Sequence, residues 1–263
     1  MNYDGGHAEN IFDKNSKNNF SNYGRYVVND SLTLTLPNTK ICFRRISDDK
    51  YSYSRENAQS GLFESIISIR TENLEFVFVP SFPIHIPAYR TDYVFLKLTR
   101  PIFISMKSST EVYVPVPIEN AIFFTGNEVR EHIDVFSCVP NLSRFGLYGA
   151  PENGKLAKMA KVNLEFQDVD FEPFLYAKMR VMIENDLKVG FRLGKLVFPV
   201  TNHDLYYRKN AAVFDTLKII MKDRLGVDYP DVRCEEILPD GWEKTPRHME
   251  KTVHEFSMNA GFD

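Results

Sequence analysis

The sequence contains few cysteines, and no pattern joins them into a site. Its 263 residues include three of them, Cys42, Cys138 and Cys234. The number is odd, and no two have the CxxC spacing of a zinc or redox centre. We therefore expect three reduced thiols, no metal site and no cofactor. Because disulfides are rare in the cytoplasm, unpaired cysteines also predict a cytoplasmic location.

Net charge and long apolar runs are lacking too. The 32 basic side chains nearly balance the 35 acidic ones, for a formal charge of −3. This balance disfavours the electrostatic capture of nucleic acid that basic proteins show. The longest stretch without Asp, Glu, Lys or Arg, residues 76–89, contains three prolines and is shorter than the roughly 20 residues that span a bilayer. We expect no nucleic-acid partner and no membrane insertion.

Alternating runs of apolar residues are abundant. The segment SLTLTL, residues 31–36, places three leucines on one face, and the same period of two recurs at 74–78, 94–98, 112–116 and 175–183. The 21 phenylalanines and 13 tyrosines suit pleated sheets. These runs predict a mainly β protein with an antiparallel β-sandwich-like core, built as one sandwich or as two packed sandwich subdomains.

The domain organisation follows from where these runs begin and end. Residues 1–22 hold six asparagines and no periodicity, so we predict a flexible N-terminal arm. Residues 23–202 form the predicted β-rich core, and residues 203–263 a C-terminal extension with one or two helices. Pro115 and Pro117 remove two backbone donors from the same side of VYVPVPI, so this run is predicted to lie at a sheet edge.

The C-terminal extension has the clearest helical periodicity. Apolar residues recur there at spacings of three and four: Val213, Leu217, Ile220, Met221 and Leu225. This spacing favours a helix over 211–225, and a strand through LKIIM is the alternative. Further on, Met249, Val253 and Phe256 form a thin apolar stripe that predicts a short, marginal terminal helix.

One segment has the glycine and lysine spacing of a phosphate-binding loop. It is GAPENGK, residues 149–155, but Leu156 follows it where such a loop needs a hydroxyl to hold magnesium. Glu152 would also repel a phosphate group. We therefore predict a hairpin turn that binds no nucleotide. The acidic residues around Cys234 are predicted to form a solvated loop.

Several longer segments resemble a known family. They are YGRYVV, PSFPIHIP with the following YVFLKLTRPIFI, VYVPVPIENAIFF, and IDVFSCVPNLSRFGLYGAPENGKLAK. Together they resemble an archaeal family of uncharacterised proteins, a domain of unknown function, over roughly residues 23–200. The resemblance implies a cytoplasmic archaeal β-rich protein without an assigned activity, substrate or cofactor, and it brings no functional residues with it.

Two functions remain open. The first is a non-catalytic β-sandwich binding or interaction protein with a protein partner or self-association, because the polar residues show no catalytic clustering. The alternative is a hydrolase that acts on a sugar or small polar metabolite through carboxylates assembled by the fold. The predicted interaction residues lie on the proline-marked edge and after Gly241: Val112, Val114, Val116, Trp242, Met249, Val253 and Phe256.

Overall fold

The structure is a computed structural model, and almost all of its regular elements are β-strands. It describes residues 20–69, 72–86, 91–125, 132–140, 144–149, 154–224, 227–237 and 240–246. The first ten strands are β1 Gly24–Val28, β2 Ser31–Leu36, β3 Thr39–Ser47, β4 Lys50–Asn57, β5 Gly61–Ser68, β6 Leu74–Ser81, β7 Tyr93–Ile104, β8 Ser108–Pro117, β9 Glu119–Phe124 and β10 His132–Phe136. The others are β11 Phe145–Tyr148, β12 Lys155–Val162, β13 Tyr176–Asn185, β14 Phe191–Pro199, β15 Leu205–Arg208, β16 Ala211–Phe214, β17 Thr216–Arg224, β18 Val227–Glu235 and β19 Glu243–Lys244, with a 3₁₀ turn at Val200–Asn202.

Two antiparallel sheets form the first sandwich. One sheet has the strand order β1-β6-β9-β10 and the other β2-β3-β4-β5. Their facing side chains form one apolar cluster, in which aromatic rings predominate: Phe43, Tyr51, Tyr53, Phe76 and Phe78. The alternation of SLTLTL is realised here, because Leu34 and Leu36 of β2 are both buried. A core rich in rings follows from the many Phe and Tyr residues on alternating strand positions.

The second sandwich combines a four-stranded sheet with a seven-stranded one. The smaller sheet has the order β11-β12-β7-β14, and the larger contains β8, β13 and β15 to β19. Central in the larger sheet is β13, which pairs antiparallel with β8 and parallel with β16 and β17. A second parallel pairing joins β7 to β12. The facing aliphatic side chains form a separate apolar cluster.

The prediction of a mainly β, sandwich-like fold is confirmed, and the predicted helix over 211–225 is wrong. Strands β16 and β17 occupy this segment, and β17 pairs with β13 on one side and β18 on the other. Leu217 and Met221 satisfy the helical spacing, but together with Ile219 they also satisfy a period of two. The two neighbouring strands supply the backbone partners that decide between helix and strand. Residues 1–19 and 247–263 lie outside the described residues. They include most of the predicted arm, residues 1–22, and most of the predicted terminal helix.

The chain passes back and forth between the two sandwiches. Strands β1 to β6 lie in the first, β7 and β8 in the second, β9 and β10 in the first again, and β11 to β19 in the second. Each crossing ties the two cores together. Among the described residues, none belongs to a helix long and apolar enough to cross a membrane.

Phe174 marks the last of these crossings. Its ring is fully buried in the first core, although β13 of the second sandwich begins only two residues later. The backbone φ of Phe174 is +64°, a left-handed conformation that is unusual for a bulky residue. Asn120 holds this conformation, because its Nδ2 donates to the Phe174 carbonyl at 3.0 Å while its Oδ1 accepts from the Tyr23 hydroxyl at 2.8 Å.

Candidate functional site

An apolar groove lies at the open edge of the second sandwich. It has a volume of about 710 Å³. Strands β7, β14, β17 and β18 supply most of its wall. The main apolar residues that line it are Phe95, Phe191, Leu193, Ile219, Met221 and Val232. Clefts of this size and composition are typical binding sites in proteins.

The groove forms because the two sheets of the sandwich do not close at this side. Strand β14 pairs with β7 along one edge, and no other described strand pairs with the opposite edge of β14. Facing it, Ile219 of β17 is the register partner of Val232 on β18, and Val232 remains 44% exposed. The groove therefore combines apolar side chains with an edge strand whose backbone groups can accept a further strand.

Positive charge lies on the β7 and β14 side of the groove. Its wall includes Lys97, Arg192 and Lys195, and Lys195 is the register partner of Lys97 across β14 and β7. The ammonium group of Lys195 lies 5.4 Å from the centre of the Tyr148 ring, which orders its side chain by a cation–π contact. The described lining residues include neither a carboxylate nor an imidazole. The groove is thus suited to an apolar ligand that carries negative charge.

A buried ionic cluster joins the two sandwiches. Glu119, at the start of β9, is fully buried, and its Oε1 accepts from Lys158 Nζ of β12 at 2.6 Å. Oε1 also accepts from the Ile86 N–H at 3.1 Å, and Oε2 accepts from the His85 N–H at 2.9 Å. The Nδ1 atom of His85 lies 3.0 Å from Oε2. Because this carboxylate is saturated with hydrogen-bond partners, we interpret the cluster as a structural link.

A second polar cluster contains potential metal ligands. His203 follows the 3₁₀ turn, Asp215 separates β16 from β17, and Cys234 lies on β18. The ligand atoms of these residues all lie within 4.8 Å of one another. Local sequence spacing could not reveal this cluster, since His203 and Cys234 are 31 residues apart.

The structure brings the sequence-predicted interaction residues to different places. Val112, Val114 and Val116 are on an edge strand as predicted, because β8 pairs with β13 on one side and makes only an isolated bridge from Tyr113 to Glu165 on the other within the described chain. However, the three valine side chains are buried in the second core, so they cannot themselves contact a partner. Of the predicted interaction surface on β8, only the backbone groups on the outer edge of the strand remain accessible to a partner.

The C-terminal interaction residues are described only in part. Trp242 is half-buried, and the guanidinium carbon of Arg208 lies 5.1 Å from its ring centre. Trp242 therefore packs on its own chain next to the β15–β19 pair. Met249, Val253 and Phe256 lie outside the described residues.

Two further predicted features can be placed. The strands flanking GAPENGK form an antiparallel pair in which Tyr148 faces Lys155, as expected for a hairpin, although residues 150–153 of the turn lie outside the described chain. Of the acidic residues around Cys234, Asp228, Asp231 and Glu235 lie on β18, so this part of the predicted solvated loop is a strand. Hydrogen bonds from Arg233 and Lys222 lower the pKa of Asp231 to about 2.

None of the three cysteines forms a disulfide, and they differ in exposure. Cys138 is only 2% exposed, and burial raises the pKa of its thiol to about 11, so at about pH 8 only about one molecule in a thousand carries the thiolate. In titrations with a thiol reagent, we expect half-buried Cys42 to react rapidly and Cys138 to react only after denaturation. The denatured protein should then give a total of three reactive thiols. Rapid reaction of Cys138 in the native protein would contradict the described packing.

The fold thus defines an all-β protein of two packed sandwiches with an open groove in the second. The family described as "Protein of unknown function (DUF432)" matches residues 22–259, and the chain belongs to this family. The match includes the segment on which the resemblance rests and extends beyond it through β19. A search of curated proteins and a search of solved structures gave no match.

Proposed function

We propose that the protein is a non-catalytic binding protein that takes up an extended segment of a protein partner along the outer edge of β14. The observation that carries this proposal is the groove, in which an edge strand, apolar walls and positive charge coincide. In strand addition, main-chain hydrogen bonds supply affinity and pockets for alternate side chains supply specificity.

The charge of the groove selects the chemistry of the segment. Lys97, Arg192 and Lys195 attract carboxylates, while Phe191, Leu193 and the facing β17 and β18 side chains favour apolar residues. A segment that alternates apolar and acidic residues presents both kinds of side chain at the period of a strand. The hydrolase alternative receives no support from the described lining residues, because none supplies a carboxylate.

The test is the binding of a labelled peptide of about eight residues that alternates valine and glutamate, followed by fluorescence anisotropy at low salt. We expect saturable binding, and at least about tenfold weaker binding of the same peptide with lysine in place of glutamate. The double variant Lys97→Glu/Lys195→Glu should also weaken binding at least about tenfold. Its matched control, Lys40→Glu/Lys50→Glu, makes the same charge change on exposed positions of the first sandwich and should leave binding unchanged.

Backbone methylation separates strand addition from simple apolar binding. A valine–glutamate peptide with N-methyl groups on alternate residues keeps its side chains but loses the donors of one edge, so we expect its binding to be lost. Equal binding of the methylated peptide would overturn the proposal. So would saturable binding of a fatty acid, such as laurate, in the absence of any peptide binding, because that result would assign the groove to acyl chains.

A further inference from the structure

The geometry of His203, Asp215 and Cys234 matches a metal centre. His203 Nδ1 lies 3.4 Å from Cys234 Sγ, and Cys234 Sγ lies 3.5 Å from Asp215 Oδ2. In a tetrahedral zinc site, bond lengths of about 2.0 Å to nitrogen and 2.3 Å to sulfur place neighbouring ligand atoms about 3.5 Å apart. Cys234 therefore already has the spacing of a tetrahedral neighbour to both His203 and Asp215, and all three ligand atoms lie within 4.8 Å of one another.

Neighbouring groups hold two of these ligands in position. The His203 ring packs edge-on against Phe198, with ring centroids 5.1 Å apart. Asp215 accepts the Ile237 N–H on Oδ1 at 3.0 Å and the Asp204 N–H on Oδ2 at 2.5 Å. Such supporting contacts are a regular feature of metal sites, where they orient the ligands before the ion arrives.

The hydroxyl group of Tyr206 is an independent indication of a missing ligand. Its side chain is 1% exposed, yet the hydroxyl has no hydrogen-bond partner among the described residues. The hydroxyl interacts with the Asp215 carboxylate without reaching ordinary hydrogen-bond distance, which places it beside the cluster. An unpaired buried hydroxyl is costly, and a water or hydroxide on a bound metal ion would supply its partner.

We infer that His203, Asp215 and Cys234 bind a transition-metal ion of the zinc type, with one protein ligand each of nitrogen, oxygen and sulfur and a fourth, open position facing Tyr206. Mixed nitrogen, oxygen and sulfur ligation suits Zn²⁺ better than Mg²⁺ or Ca²⁺, which prefer oxygen alone. Three protein ligands with an open position are the arrangement of zinc sites that bind or activate a small molecule.

The site lies next to the groove but does not depend on it. Cys234 is on the same face of β18 as Pro230 and Val232, and its register partner on β17 is Leu217, which lines the groove. The proposed metal site is thus adjacent to the groove wall, because Cys234 is the next residue after Val232 on the same face of β18. Its test is independent of peptide binding, so either proposal can fail while the other holds.

The test uses Co²⁺ as a coloured substitute for Zn²⁺. The full chain is treated with a chelator, titrated with Co²⁺ and followed by absorption, because thiolate ligation gives a charge-transfer band and tetrahedral geometry gives strong visible bands. We expect saturation at about one equivalent, displacement by Zn²⁺, and weaker binding as the pH falls, since the thiol must lose its proton.

Two variants and one control make the result decisive. Cys234→Ser should remove the charge-transfer band, and His203→Gln should weaken Co²⁺ binding at least about tenfold, with circular dichroism showing that each remains folded. Cys42→Ser is the matched control, because it changes another half-buried free thiol, and it should bind Co²⁺ like the unmodified chain. The inference is wrong if no saturable band develops, or if both folded variants keep it.

Discussion

Replacing Glu119 by alanine is expected to lower the free energy of unfolding by about 3–5 kcal/mol, because Lys158 would stay buried without its counter-charge. Lys158 is only 2% exposed, and it also donates to the Ile86 carbonyl, so it cannot simply turn towards water. The variant also removes the carboxylate that accepts hydrogen bonds from the N–H groups of His85 and Ile86. Urea denaturation followed by circular dichroism measures the loss.

Glu111 provides the matched control for this experiment. Like Glu119, it lies on a strand and its carboxylate pairs with a cation, here Arg180. However, the side chains of Glu111 and Arg180 are both more than one-third exposed. Because exposed ion pairs contribute about 0–1 kcal/mol, Glu111→Ala should change stability little. Equal, small losses in both variants would show that the Glu119 cluster is hydrated. Replacing the whole pair, as in Glu119→Leu/Lys158→Met, should recover part of the stability.

Replacing Phe174 is the second change with a large expected effect. Phe174→Ala empties a site packed against Tyr23 and Phe78, whose ring centroids lie 4.9 and 5.9 Å away, and should cost about 3–5 kcal/mol of unfolding free energy. Phe174→Gly should cost about 1 kcal/mol less than alanine, because glycine adopts a φ of +64° without strain. In ordinary strand positions the order of the two is reversed, so the order itself is diagnostic.

Phe166 is the control for this pair of variants. It lies on the same connection between β12 and β13 but is 64% exposed. Phe166→Ala should shift the free energy of unfolding by no more than about 0.5 kcal/mol. A loss from Phe174→Ala as small as that from Phe166→Ala would contradict the burial of the Phe174 ring in the first core.

The sequence allowed the strands to be predicted where a local pattern decides the structure. Leu34 and Leu36 are buried as the alternation of SLTLTL requires. Pro115 and Pro117 lie at alternate positions from Tyr113, whose N–H points away from β13 towards Glu165, so their missing donors are on the outer edge as predicted. These features depend on neighbours within one strand, and one sequence is enough to read them.

The features that the sequence did not reveal depend on pairing between distant segments. The residues of β17 fit both a helix and a strand, and pairing with β13 settles the choice. Lys195 meets Lys97 only through the register of β14 on β7. Asp215 and Cys234 are 19 residues apart, and the antiparallel pairing of β17 with β18 brings them together. Residue spacing within a single segment of the sequence therefore predicts none of these contacts.

The repeated crossing of the chain between the two sandwiches also affects how the protein emerges from the ribosome. Strands β7 and β8 are synthesised before β9 and β10 complete the first sandwich, but their own partners β12, β13 and β14 come much later in the chain. At about 5–20 residues per second, β8 waits several seconds for β13. During that time Val112, Val114 and Val116, which are buried in the finished protein, are exposed on a nascent strand, and Pro115 and Pro117 limit its pairing with other nascent chains.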